Sequence, residues 1–355
     1  MTLRVGALLL VSLTAYLTAY LTACLTASEA EKFSRIESFT VFQSYQMMLI
    51  SRIQTALVTG LMALVLSACG SDESQPVASN LNSQLTIPID EFLDPAVVDQ
   101  IQLDDGAFPV TQGDWPRFTV NTTWNWQLNG ELNTSYEADV YVIDMFEQLT
   151  ENEIEPLKAG GTQVICYFSA GTYEYWRPDV ALFDGVEFGN PHIGFQDELW
   201  LDINDPKILK IMANRMDIAV MLGCDGVELD NVDGFINDTG HSITQEDALV
   251  YSRILANEAH KRGLAVALKN NVELVNDVVD YFDLLINEEC FQYNECEGNL
   301  PIIEAGKPVF NAEYTEVHVN DPVQRELLCM ESRSINFQTL ILPLALDGSF
   351  RFSCQ

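Results

Sequence analysis

Cys224-Asp225-Gly226-Val227-Glu228-Leu229-Asp230-Asn231 is the stretch that decides the fold. From Gly226 to Asp230, apolar Val and Leu alternate with carboxylates, and the run stops on an Asn. This is the pattern of a short strand whose last residues leave the core carrying polar groups. Upstream, Asp205-Pro206 opens a helix with Pro in its first turn, and Gly223 closes it. Ile208, Met212, Met216 and Ala219 form its apolar face. Downstream, Thr244 followed three residues later by Asp247 predicts a capping box. Ala248, Tyr251, Leu255 and Ala259 then recur at helical spacing, and Gly263 ends that helix. The strand is therefore flanked by helices on both sides.

The same alternation extends in both directions. Strand-like runs lie at Thr123–Leu128, Val140–Asp144, Val164–Phe168, Ala265–Lys269, Leu284–Glu288, Val309–Glu313 and Thr339–Pro343. With Gly226–Asp230 they number eight. Weaker helical patterns fit 152–159, 271–280, 299–306 and 321–332. Eight strand–helix units predict an α/β fold, a (β/α)8 TIM barrel in a single domain. The link from Leu128 to Val140 is short for a helical crossover, and Trp200-Leu201-Asp202-Ile203, which could be a further strand, is assigned to the long loop after the third strand. A doubly wound open sheet is the alternative. It is disfavoured because no Gly-x-Gly-x-x-Gly follows the first strand.

The barrel does not account for the N-terminus. A four-residue repeat, LTAYLTAYLTACLTAS, runs from Leu13 to Ser28. A second start follows: Met48, Arg52, then the apolar run Ala56 to Leu66 and Leu66-Ser67-Ala68-Cys69. Residues 1–46 read as an over-extended start and 47–68 as a lipoprotein signal peptide with lipidation at Cys69. A genuine long leader and an ordinary signal peptide are the alternatives. Residues 69–115 read as tether and N-terminal extension, ambiguous over 87–115, and 116–355 as the barrel domain. The expected location is the bacterial cell envelope, lipid-anchored at the outer membrane, or secreted. An oxidising compartment makes disulfides plausible. Cys290 and Cys296 close a short loop and Cys329 with Cys354 ties down the C-terminal stretch, whereas Cys166 and Cys224 read as buried thiols.

The net charge is −34 over 355 residues. The first 68 residues hold four basic and three acidic side chains, so the whole acid excess lies beyond them. Such a surface disfavours nucleic acid and anionic membranes as partners. It leaves a cationic substrate, a salty habitat or a merely solvated surface as explanations. Membrane contact is expected only through the lipid anchor, and the chain is expected to be a monomer.

In a barrel of this kind, chemistry belongs at the C-terminal strand ends. Those ends are acidic: Asp144, Glu228 with Asp230, Glu288 with Glu289, and Glu313; Lys269 and Asn270 come from the fifth strand. Two carboxylates facing each other across a sugar ring are what glycoside hydrolysis requires. Trp124, Trp126, Tyr167, Phe168, Tyr173, Trp176 and Tyr314 are aromatics available to stack on sugars or to fill the core. Other chemistries lack their motifs. His192, His241, His260 and His318 form no His-Glu-x-x-His, Asp230 to Gly234 lacks calcium-loop spacing, and Ser169 has no evident His partner. No metal and no cofactor are expected.

These strings resemble glycoside hydrolase family 114, the endo-α-1,4-polygalactosaminidase family of TIM-barrel proteins. The resemblance rests on Trp126-Gln127-Leu128, Asp139 to Phe146, Cys166 to Gly171 with Glu174 and Arg177, and Trp200 to Ile203. It continues through Cys224 to Gly234, Leu268-Lys269-Asn270, Asn287 to Cys290 and Lys307 to Phe310. It implies cleavage of α-1,4-linked galactosamine polymers, with Asp230 and Glu288 as the catalytic pair; Glu228 and Glu289 are their rivals. A pKa raised by neighbouring carboxylates would let Glu288 protonate the leaving oxygen while Asp230 attacks the anomeric carbon or activates water. Asp144 and Glu313 would bind amino groups, and Lys269 would hold a carboxylate ionised. Trp126, Tyr167, Asn270 and Tyr314 complete the expected substrate contacts. A lipoprotein that binds polysaccharide without cutting it, and a hydrolase of another α-linked sugar, are the competing readings.

Overall fold

All eight expected runs are strands in the computed structural model, which describes residues 89–147 and 151–355. The signal peptide, Cys69 and the tether through residue 86 lie outside the described residues. The barrel strands are β1 (Trp124–Gln127), β2 (Val140–Asp144), β3 (Gln163–Ser169), β7 (Gly226–Asp230), β8 (Ala265–Lys269), β9 (Leu284–Glu288), β10 (Val309–Glu313) and β11 (Gln338–Ile341). They pair in parallel in that order. A short β12 (Phe352–Ser353) runs antiparallel to β11.

Period-two alternation divides each strand between two packing layers. Val140, Val142, Ile165, Ala265, Ala267, Leu284, Ile286, Phe310, Ala312 and Leu340 cluster inside the barrel with Trp124 and Trp126. Tyr141, Ile143, Val164, Phe168, Val227, Leu229, Val266, Leu268 and Leu285 pack outward among the helices. Small residues on β7 and β8 make room for the indoles. At Gly226 a Cβ would stand 2.8 Å from the Ala265 carbonyl oxygen, so the approach of β7 to β8 requires glycine.

The principal helices are α1 (Glu151–Ala159), α2 (Pro206–Leu222), α3 (Gln245–Lys261) and α4 (Pro322–Ser334). Asp205 caps α2 through the Lys207 amide, and Gly223 ends it at φ 84°. The Thr244–Asp247 capping box forms at α3. A cap of this kind is worth about 1 kcal/mol.

Three features differ from the sequence reading. Trp200 and Leu201 end a strand, β6 (Phe195–Leu201), which joins β4 (Thr172–Glu174) and β5 (Phe188–His192) in a separate antiparallel sheet. The barrel count stays at eight because this sheet is an insertion between β3 and α2. Cys166 and Cys224 are bonded to each other and are not free thiols; the turn leading into β7 brings Cys224 alongside β3, with their Cα atoms 6.0 Å apart. Cys290–Cys296 and Cys329–Cys354 pair as expected. The barrel seam is the third. Among the described residues β1 has no ladder to β11; instead the Trp124 indole donates to the Gln338 carbonyl (2.7 Å) and Arg351 to the Trp124 carbonyl (2.7 Å).

The segment before β1 packs along α2 and α3. Asn214 donates to the Phe92 carbonyl, and Glu258 accepts from the Asp104 amide. Trp115 stacks on His260 at 4.1 Å and donates to Asp283 at 3.1 Å, with Phe118 beside it in the barrel-interior cluster. His260 itself is buried and bonded to Asp283 at 2.8 Å. Trp115→Ala therefore removes a core aromatic and should lower unfolding free energy by about 3–5 kcal/mol. Denaturant melts of the purified chain measure this, and a loss under about 1 kcal/mol would mean that the segment is not part of the cooperative unit.

Candidate active site

Strand phase determines which end residues meet. Asp144 continues the inward series of Val140 and Val142, Tyr167 that of Ile165, Glu228 and Asp230 that of Gly226, Lys269 that of Ala267, Glu288 that of Ile286, and Tyr314 that of Ala312. Three adjacent strands then turn on the following residue in the left-handed region: Asn231 (φ 59°), Asn270 (φ 50°) and Glu289 (φ 56°). Asn tolerates that conformation; Glu289 is strained in it.

Lys269 lies at the centre. Its buried ammonium bonds Asp230 Oδ1 at 3.3 Å and makes a short hydrogen bond to Glu288 Oε2. Asp230 also accepts from the Tyr167 hydroxyl (2.9 Å) and the Asn231 amide (2.8 Å). Glu288 accepts from the Tyr314 hydroxyl (2.5 Å) and from Asn270 Nδ2 (3.1 Å). Asn270 is fixed in turn, because its Oδ1 accepts the Glu288 amide at 2.8 Å. Burial opposes charge on Glu288, but the Lys269 charge and the bonds from Lys269, Tyr314 and Asn270 outweigh it and hold the carboxyl below its usual range. This reverses the expectation that Glu288 is raised. Burial works against the Lys269 ammonium too, yet Asp230 and Glu288 keep it charged.

Glu228 lies directly beneath. It is fully buried, with Oε2 accepting from the Trp126 indole at 3.2 Å. Burial, opposed by Lys269 and helped by Asp230 and Glu288, pushes its carboxyl well above the ordinary range.

Four expected contacts have other roles in the structure. Asp144 is buried and clamped by Arg177 through two bonds of 2.9 and 2.8 Å, so it fixes Arg177 and is not open to an amino group. Glu313 has the outward phase: it is buried, accepts from the Phe291 amide and Asn311, and burial pushes it up to about 7. Trp126 and Glu228 are floor, not groove. Trp124 and Phe168 are core, whereas Trp176 is exposed. Glu289 follows the strand end and borders the open cleft without touching Lys269, so Glu288 holds the central position.

The cleft measures about 320 Å³ and includes Glu288, Asn270 and Tyr314 in its lining. Asp233, Glu273, Glu289 and Glu295 also border it, and among the described residues no Lys or Arg does. On the opposite side of Asp230, Asn231 bonds Ser169, Ser169 bonds Thr172, and Thr172 donates to Glu198. Burial lifts Glu198 to about 7. Sequence reading missed Glu198 because it belongs to the inserted sheet and not to a barrel strand. Arg177 also bonds Glu174 (2.6 Å), and Arg215 pairs with buried Asp179 (2.7 Å), which anchors that sheet to the barrel.

The raised pKa of Glu228 has a measurable consequence. The unfolded chain ionises this carboxyl at the ordinary Glu range while the folded chain retains the proton. Wild-type stability therefore declines as pH rises above that range, by up to about 1.4 kcal/mol per pH unit. Glu228→Gln keeps an acceptor for Trp126 and lacks the ionisation. Its unfolding free energy relative to wild type should rise from pH 4 to pH 8; a flat or falling difference would mean that Glu228 is ionised in the fold.

The glycoside-hydrolase family GH114 matches residues 107–355. The crystal structure of Aspergillus fumigatus Ega3 in complex with galactosamine is similar, with TM-score 0.64 and 37% identity over 69% of this chain and 99% of that one. The glycoside hydrolase domain of PelA from Pseudomonas aeruginosa has the same fold, with TM-score 0.51 and 16% identity over 64% of this chain and 96% of that one. No match was found among curated proteins. The chain belongs to glycoside hydrolase family GH114 and is a glycosidase.

Proposed function

We propose that the protein hydrolyses α-1,4-linked galactosamine-type polysaccharide through Asp230 and Glu288. The observation that carries the reading is one ammonium, Lys269, bonded to both carboxylates across the barrel mouth. Asp230 supplies the carboxylate that meets the anomeric carbon, directly or through a water, and Glu288 gives its proton to the leaving oxygen. Tyr167 and Tyr314 both keep their protons, burial being the main cause in each, so they stay hydrogen-bond donors that orient the two acids. The bound galactosamine of Ega3 supports an amino sugar as substrate. An acidic cleft lined by no basic side chain supports a cationic polymer over a neutral one.

Product release from purified galactosamine polymer, read by mass spectrometry beside a panel of other α-linked sugars, tests the assignment. Glu288→Gln should lose about 10²–10⁴ in rate, the usual contribution of a positioned proton donor. Asp230→Asn should be at least as severe. Retention of activity by both variants would overturn the pair. Cleavage should also weaken with added salt, because a cationic chain is drawn by exposed carboxylates.

The pH profile tests the Lys269 coupling. Only the protonated fraction of Glu288 can act as acid, and Lys269 suppresses that fraction, so kcat/KM should fall as pH rises out of the acidic range. Lys269→Met removes the charge and raises the Glu288 pKa. The alkaline fall of the residual activity should then move to higher pH; no movement, or movement to lower pH, contradicts the coupling.

The same proposal includes the lipid anchor. Three disulfides support residence in an oxidising compartment. Fatty-acid labelling of the expressed full chain should be lost in Cys69→Ser.

A further inference from the structure

The hydrogen-bonded chain behind Asp230 ends on Glu198, which has no ion-pair partner among the described residues. Glu198 lies within β6, opposite Glu174 of β4, and is buried. Period two places Thr172, Glu174, Glu198 and Trp200 on one face of the inserted sheet. Arg177 is close enough to favour charge on Glu198, but its bonds go to Asp144 and Glu174. Glu174, Asp230 on β7 and Tyr167 on β3 are the other ionisable groups that feel it, and His192 on β5 packs on Trp200. Burying a carboxyl without a bonded cation is costly, and burial lifts this one to about 7. A position that required only packing would be filled by an apolar side chain without that cost.

Counting protons gives the chain a direction. Ser169 Oγ accepts from two N–H groups, the Thr172 amide (3.0 Å) and Asn231 Nδ2 (3.0 Å). Its own proton is left for Thr172 Oγ1, 2.5 Å away, and the Thr172 proton goes to Glu198 Oε2 at 2.7 Å. Ser169 and Thr172 are fully buried, so a lost link is not replaced from solvent. At the other end, Asn231 is the left-handed residue whose amide bonds Asp230 Oδ1. Its carbonyl passes so close to Gly171 that a Cβ there would stand 1.7 Å from the oxygen. The Ala170 amide holds the Asp230 carbonyl at 2.8 Å. Asn231 is thus gripped at three points, and Ser169 supplies the one that fixes its side chain. Releasing that grip lets the Asn231 amide turn away from Asp230.

We infer that Glu198 is a positioning residue for the reaction, aiming the Asp230 carboxylate through Thr172, Ser169 and Asn231. The inference rests on the role given to Asp230 above. Glu198 need not touch sugar: it is the fixed acceptor that orders the two hydroxyls and thereby the Asn231 side chain. Ionised Glu198 makes a charge-assisted bond to Thr172 and neutral Glu198 a weaker one, so the grip on Asn231 tightens as Glu198 loses its proton.

Steady-state rates on a galactosamine hexamer separate positioning from binding. Thr172→Val should lower kcat about tenfold with KM unchanged, the rate equivalent of one lost hydrogen bond. Thr172→Ser keeps the hydroxyl and should recover the rate. Glu198→Gln should match wild type at pH 5 and fall behind it by up to about tenfold at pH 8; the fall due to Glu288 is common to both and cancels in the ratio. Adding Glu198→Gln to Thr172→Val should cost nothing further at pH 8, because both cut the same chain. A loss confined to KM, additive losses, or a ratio of wild type to Glu198→Gln that is flat with pH overturns the inference. The side-chain amide resonance of Asn231, followed by NMR, needs no turnover: it should shift as pH passes about 7 in wild type and stay in place in Glu198→Gln. If that shift is present while wild type releases no product, the hydrolytic reading fails and the chain stands. If product is released and the resonance does not respond, the chain fails alone.

Discussion

One buried ammonium organises the barrel mouth. Lys269 is the only cation within bonding distance of Asp230 and Glu288 among the described residues, and a third carboxyl, Glu228, lies close beneath. A single positive charge cannot neutralise three negative ones at low dielectric. The conflict is resolved by depth: Glu228, buried beneath the others, has its carboxyl pushed well above the ordinary range, and the two upper acids share the ammonium. Tyr167, Tyr314 and Asn270 then direct the carboxylates, and those three are held by strand phase and by the left-handed turns after β8 and β9. Strain at Glu289 persists because the surrounding strands and the adjacent disulfide over-determine it.

A second set of charges supports the first at a distance. Arg177 joins Asp144 and Glu174, and Arg215 joins Asp179 and the Ser169 carbonyl. Both guanidiniums are buried and ion-paired with carboxylates, the arrangement in which loss of one partner is most destructive. They tie the inserted sheet to β2, β3 and α2, and thereby fix Glu198 and the Ser169–Thr172–Asn231 chain behind Asp230. The two faces of the mouth are built differently as a result. The Glu288 face is open, acidic and bordered by a stapled loop, whereas the opposite face is closed by ion pairs.

Much of this was legible in the sequence. The barrel strands repeat short apolar runs bounded by turn residues, and five of the eight have the bounds that the pattern gives. The inward residues of the pair, Asp230 and Glu288, follow from strand-end position together with the family strings. What was not legible depends on phase and on non-local contact. Glu313 ends its strand like the others, but one residue of phase sends it behind the sheet. Asp144 has the right phase and is nonetheless consumed by an arginine 33 positions away. Glu198 belongs to a sheet that hydrophobic period places only as a loop. The lowered pKa of Glu288 required knowing that Lys269, Tyr314 and Asn270 all converge on it.

The seam between β1 and β11 gives the fold a direction in time. The backbone of Trp124 finds its partner in Arg351, 227 residues later, and the far edge of β11 is occupied by residues 352–353 with Cys354 bonded to Cys329. A chain that emerges N-terminus first has every other parallel strand pair in hand before this edge is finished. Until then β1 and β11 present unpaired backbone, the condition that favours intermolecular strand addition. This edge is therefore the last to be completed, and an unfinished chain would have to be shielded from its neighbours until residues 351–354 have arrived.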